Sequence, residues 1–186
     1  MKIYHYLLIS ILFTCISACS SDDDGAPEQS TDFGESSLTL TGDYDLDLNG
    51  RAVFSMSEEE FQGKYLFRID LSGSEEMRYN MNLVIFLEST NYQFLEGSTL
   101  PLSNSGLSNN AEAFSTDLIL YGDSITDVVA EWTSIEDEGE GVGSITITRA
   151  DHEVVEGSIQ GNLLPKAGDA SGPINCQANF RAVKNQ

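Results

Sequence analysis

Between Leu38 and Leu48 the apolar residues Leu38, Leu40, Tyr44, Leu46 and Leu48 occupy even positions, with Thr39, Thr41, Asp43, Asp45 and Asp47 between them. Side chains of a strand point alternately to its two faces, so a period of two demands a strand that is apolar on one face and wet on the other. Asn49-Gly50 follows, a dipeptide favoured in type I′ hairpin turns, and Ala52, Phe54 and Met56 resume the alternation. The expectation is a half-buried strand, a turn at Asn49-Gly50 and a second strand. Tyr65, Phe67, Ile69 and Leu71 repeat the pattern, with Lys64, Arg68 and Asp70 turned outward. Met81 to Leu87 is nearly continuous in apolar residues, as a central strand covered on both faces would be. Leu118–Tyr121, Val128–Trp132, Val142–Thr148, Val154–Leu163 and Ile174–Val183 read as further strands, parted by Gly, Asn, Asp and Ser clusters. The fold class is therefore all-β: an antiparallel β-sandwich or flattened barrel of about eight to ten strands.

The chain has 186 residues, enough for one domain, and 40% of them are hydrophobic, enough to furnish its core. Lys and Arg number 9 against 30 Asp and Glu, a formal net charge of -21. Nucleic acid as a partner is excluded, because phosphate binding needs clustered cations. Electrostatic docking on an anionic lipid surface is excluded on the same ground.

The first residues follow a different pattern. Met1-Lys2 brings one positive charge, Tyr4 to Phe13 forms an apolar run broken by His5 and Ser10, and Ile16-Ser17-Ala18-Cys19 closes it. About a dozen apolar residues are too few to cross a hydrocarbon core of roughly 30 Å as a helix. The order of charge, apolar stretch and small residues is that of a cleaved secretory signal. Ile16-Ser17-Ala18-Cys19 resembles the lipobox of bacterial lipoproteins, which implies diacylglycerol on Cys19 and cleavage just before it. Cys15, behind the bulkier Phe13 and Thr14, is the poorer acceptor. Ser20-Ser21-Asp22-Asp23-Asp24 resembles the acidic export signal that follows the acylated cysteine in surface lipoproteins of Bacteroidota. That resemblance implies a lipid-anchored protein of the outer membrane facing the cell exterior. The expected organisation is a signal peptide over 1–18, an acylated cysteine and flexible acidic tether over 19–36, and one β-domain over 37–186.

Without Cys15 and with Cys19 lipidated, Cys176 would be the lone thiol. No internal disulfide then forms, and its place among alternating apolar residues makes Cys176 a buried small hydrophobe. Asp45-Leu46-Asp47-Leu48-Asn49-Gly50 overlaps the start of an EF-hand-type calcium loop, but Met56 stands where a bidentate Glu is needed. Glu136, Asp137, Glu138 and Glu140 form a denser acidic loop, a weak metal candidate whose plainer reading is a solvated turn. His152 lies alone in a turn, and no nucleophile elbow, zinc-protease motif or phosphate-cradling loop occurs. The expectation is a non-enzymatic protein without a cofactor.

Aromatic residues carry the binding hint. Tyr92, Phe94 and Tyr121 flank polar loops where they could stack on sugar rings or close the ends of the domain. Trp132 joins them as a stacking candidate, although its parity with Val128 and Ala130 places it in the core. Asp123-Ser124-Ile125 resembles the O-glycosylation motif of Bacteroidota, which implies a glycan on Ser124. The function expected is binding or interaction at the cell surface, with glycan capture or an envelope protein as partner. A structural or adhesive envelope component and a carboxylate-dependent hydrolase are the alternatives.

Overall fold

In the computed structural model, residues 33–61, 63–73, 78–102, 112–136, 139–140 and 142–185 are described. The signal, Cys19, and the export residues Ser20, Ser21, Asp22, Asp23 and Asp24 lie outside them. The compact unit spans Asp32–Gln186 and is all-β. Its strands are β1 (Glu35–Gly42), β2 (Leu46–Met56), β3 (Tyr65–Gly73), β4 (Tyr79–Leu87), β5 (Thr99–Pro101) and β6 (Glu112–Tyr121). They continue as β7 (Val128–Thr133), β8 (Ile135–Glu136), β9 (Gly139–Glu140), β10 (Val142–Ala150), β11 (Val154–Gly168) and β12 (Ile174–Lys184).

Ten strands form one sheet, and β8 with β9 a separate ladder of two. The large sheet contains a ring of eight: β1, β2, β3, β4, β6, β7, β11 and β12, with β12 returning to β1. Every pairing around that ring is antiparallel. Closure leaves no free edge in the ring, the surest protection against edge-to-edge association. Where β1 gives out, β12 meets β2 directly and in parallel at Val183↔Val53 and Lys184↔Phe54.

Two parts of the wall are built from broken strands. β11 is flanked by β10 along Val155–Asn162 and by β7 along Leu164–Gly168, both antiparallel. The chain from β7 to β10 thus follows β11 backwards, leaving the wall after Thr133 and returning at Val142. β6 and β5 pair with β7 and β10 in the same order. Pro165 sits at a bulge, between Pro165 and Ala167, in the part of β11 that pairs with β7, where the missing N–H is tolerated.

The interior is apolar. Leu38, Leu40, Phe54, Phe67, Ile69, Leu83 and Trp132 are among its fully buried side chains, each contributing about 1.5–3 kcal/mol by leaving water. Cys176 lies among them, and burial pushes its thiol up to about 12. The outward positions are mostly polar, with Val53, Leu66, Val84, Ile119 and Val129 half-buried among them, unlike the continuous apolar band of a barrel whose wall contacts lipid.

Both ends are closed by aromatic residues. At the end where β4 stops, a single 3-10 turn (Gln93–Leu95) crosses the opening and seats Tyr92 inside. Its ring stacks on Phe67 at 5.0 Å and meets Phe54 edge-on, while its hydroxyl donates to the Asp151 carbonyl. At the other end Tyr44 lies edge-on to Trp132 at 5.3 Å, and the Trp132 indole N–H donates to the Gly172 carbonyl.

Three expectations need correction. The first turn is at Asp43–Asp45, not Asn49-Gly50, which lies inside β2. Gly42 opens it with φ of 120° and Asp45 accepts from the Gly42 N–H. Gly50 has another reason to be glycine: a Cβ there would stand 2.1 Å from the Ser72 carbonyl oxygen. Second, β4 is not covered on both faces along its length. Asn80, Asn82 and Val84 are half-exposed, and only Phe86 is covered from outside, by Phe61. Third, Lys64 is buried and not turned outward.

Candidate functional site

The strongest polar constellation at the Trp132 end is built by the first turn. Asp43 accepts from the Ser171 N–H and hydroxyl, each at 2.7 Å, and from the Gly172 N–H at 3.2 Å. These donors, the hydroxyl first, hold its carboxyl below the usual range. Asp43 therefore ties the β11–β12 connection over Trp132 and is not a wet-face residue of a strand. This role is structural, and the sequence carried no sign of it because Ser171 is so distant along the chain.

The calcium-type segment Asp45-x-Asp47-x-Asn49-Gly50 runs into an extended strand, where oxygen atoms spread instead of converging. Asp45 binds Gly42 and Asp47 accepts from Thr39 at 2.8 Å. Glu136 and Glu140 fall in the β8–β9 ladder, and Asp137 and Glu138 lie outside the described residues. Among the described residues no group of three or more His, Cys, Asp or Glu side chains converges on a point. His152 is exposed in the β10–β11 turn, where Asp151 accepts from the Glu153 and Val154 N–H groups.

The four stacking candidates are not brought together. Tyr92 and Trp132 are 7% and 0% exposed, are buried in opposite ends of the interior, and have no face to offer a sugar. Phe94 stays exposed beside Tyr92, and Tyr121 is half-buried at the far end. The physical reason is packing: a ring beside a polar loop still finds Phe54 and Phe67 from distant strands, or Tyr44 from the first turn.

Tyr121 does line a depression of about 430 Å³ with Ser72, Arg78, Tyr79, Asn80 and Ile125. Arg78 donates to the Asp123 carbonyl and braces the β6–β7 turn. Ser124 and Ile125 sit at the tip of that turn, Ile125 with 77% of its surface open. The Asp127 N–H donates to the Ser124 carbonyl, and the Ser124 and Thr126 hydroxyls lie 2.9 Å apart. Ser124 is thus presented to solvent on a braced turn. Tyr79, deeper in the wall, pairs with Ser36 at 2.9 Å, and burial raises its phenol.

Along β1, β12, β11 and β10 the outer wall carries few charges, although the chain as a whole is strongly acidic. A groove of about 290 Å³ crosses it, lined by Gly143, Gln160, Asn162, Asn175 and Gln177. Gly143 and Gly161 pair across the strands there; a Cβ on Gly143 would run into the Gln160 carbonyl and the Gly161 Cα, and one on Gly161 into the Leu102 side chain. Comparison with protein-family models, with curated proteins and with solved structures finds no match.

Proposed function

We propose that this is a lipid-anchored protein of the bacterial outer surface whose barrel captures an extracellular ligand, a glycan, without transforming it. The observation that carries the anchor is Ile16-Ser17-Ala18-Cys19 followed directly by Ser20-Ser21-Asp22-Asp23-Asp24. Two features support the assignment. The outer wall is mostly polar and carries no continuous apolar band, so the barrel stands in water and needs an anchor of its own to remain at a membrane. Acylation by more than one chain supplies stable anchoring where a single chain holds only marginally. The open depression beside Tyr121 and the polar groove on the wall offer ligand surface, and Ser124 on its exposed turn is the position for a glycan added after export.

The test is intact mass and fractionation of the native protein. Cleavage before Cys19 with added diacylglycerol and acyl mass is expected, and Cys19→Ser should release the chain from the membrane fraction. Replacing Asp22, Asp23 and Asp24 by Ala should hide the protein from protease on intact cells. An unlipidated, unprocessed N-terminus would overturn the reading. A further hexose-type mass increment lost in Ser124→Ala assigns the modification, and a mass accounted for by lipid alone removes it.

A further inference from the structure

We propose that the outer wall formed by β1, β12, β11 and β10 is the glycan-binding surface, and that its ligand is an uncharged, polyhydroxylated chain. This rests on the glycan-capture reading above and names its site and ligand class. The cross-strand register lines up three rows of outward side chains. Ser37, Asn179, Ser158, Thr146 and Thr99 form the first, across β1, β12, β11, β10 and β5. Thr39, Gln177, Gln160 and Ser144 form the second. Thr41, Asn175 and Asn162 form the third. None carries a charge, in a chain with 30 acidic residues.

Charge returns abruptly at the borders. On one side Glu156 and Asp151 alternate with Arg181 and Arg149 in an ion-pair ladder, Arg149 to Asp151 at 2.6 Å and to Glu156 at 3.4 Å. On the β2 side stands Asp47, and Thr39 donates to it. Acidic side chains elsewhere, such as Glu58, Glu59, Glu60 and Glu88, stand exposed on connections. The neutral field is thus a bounded patch and not a general property of the surface.

Its chemistry selects the ligand. Asn162, Asn175, Gln177 and Asn179 have no side-chain hydrogen bond among the described residues, so each amide keeps a donor and an acceptor for a guest. The rows repeat at about 4.8 Å across strands and about 6.7 Å along them, a lattice of paired donors and acceptors. Sugar hydroxyls, each a donor and an acceptor, match such a lattice. An anionic polymer would be repelled by the net charge of -21. An apolar guest would find little beyond Val142, and a second copy of this chain would lack the apolar core a stable interface needs. The groove between Val142 and Asn175 gives the chain a place to lie.

The experiment is native electrophoresis of the full lipidated chain in polyoxyethylene detergent, through gels containing starch, galactomannan, arabinoxylan or polygalacturonate. Retardation is expected in at least one neutral gel and not in polygalacturonate. Gln160→Glu with Gln177→Glu keeps the side-chain shapes and adds two charges; it should weaken binding at least about tenfold, with a melting curve showing that the variant, slightly destabilised by the facing charges, is still folded at the assay temperature. Retardation that survives the double substitution but disappears in Tyr121→Ala overturns the wall and leaves glycan capture standing at the end depression. Passage through every neutral gel unretarded overturns the proposal, whereas the lipid mass and surface exposure of the same sample report on the anchor separately. Concentration-dependent dimers abolished by the double substitution, without retardation, identify a second copy as the occupant and overturn it too.

Discussion

Two aspartates show how placement decides what one carboxyl does for this fold. Asp43 receives three hydrogen bonds that hold its pKa below 3.8. A depressed folded value means stability that is complete above the unfolded pKa and is lost as pH falls through the folded one. Asp70, half-buried on β3, is pushed the other way by desolvation, only partly countered by Arg68 at 3.6 Å. Its ionised form opposes folding above its raised value, and that cost vanishes on acidification below 3.8. Asp43→Asn should therefore lower the melting temperature at pH 7 and Asp70→Asn should raise it; the Asp70 difference disappears below pH 3.8, while the Asp43 difference persists there and shrinks only on further acidification. Parallel melts across that range check it; equal shifts of one sign would contradict the assignment. Neither role was legible in the sequence, where both residues read as outward positions of alternating strands. The hydrogen-bond partners of Asp43 lie on the β11–β12 connection, at the other end of the chain, and burial of Asp70 depends on how β3 sits between its neighbours. By contrast Cys176 was legible, because its own neighbours Ile174, Ala178 and Phe180 declare the buried parity.

Among the elements, the long alternating runs were readable because one face of each is buried along its whole length. β3 and β12 follow the expected spans closely. What escaped were elements set by partners and not by pattern: β5, three residues including Pro101, and the extension of β11 through Pro165. Asn49-Gly50 misled because turn chemistry and close approach both select glycine. The Ser72 carbonyl leaves no room for a Cβ at position 50, so Gly50→Ala should cost about 1–3 kcal/mol in thermal or urea unfolding. Gly172→Ala is the control, since a Cβ there meets only the Asp43 carboxylate at 4.0 Å, and it should leave stability unchanged. A turn at position 50 would instead make Gly50→Ala costly through φ, yet Gly50 is not among the glycines with positive φ. The proposed binding wall was invisible for a related reason. Its Asn, Gln, Ser and Thr residues look unremarkable strand by strand, and only the register between β1, β12, β11 and β10 assembles them into a field.

At the scale of the molecule the net charge of -21 acts on the folded state as a whole. Like charges on a compact body repel more than on an expanded chain, and salt shortens that repulsion to about 8–10 Å at physiological strength. The melting temperature should therefore rise between about 10 mM and 0.5 M sodium chloride. A flat or falling profile would mean that the few ion pairs, such as Lys166 with Glu131 at 2.7 Å, outweigh the general repulsion. The ring itself has a temporal consequence. β1 and β12, drawn from opposite ends of the sequence, close it, so the contact that seals the barrel is also the slowest to find. Synthesis from the N-terminus delivers β12 last, and β1 waits with one edge unpaired until then. Closure of the ring is thereby gated by the completion of the chain's own synthesis.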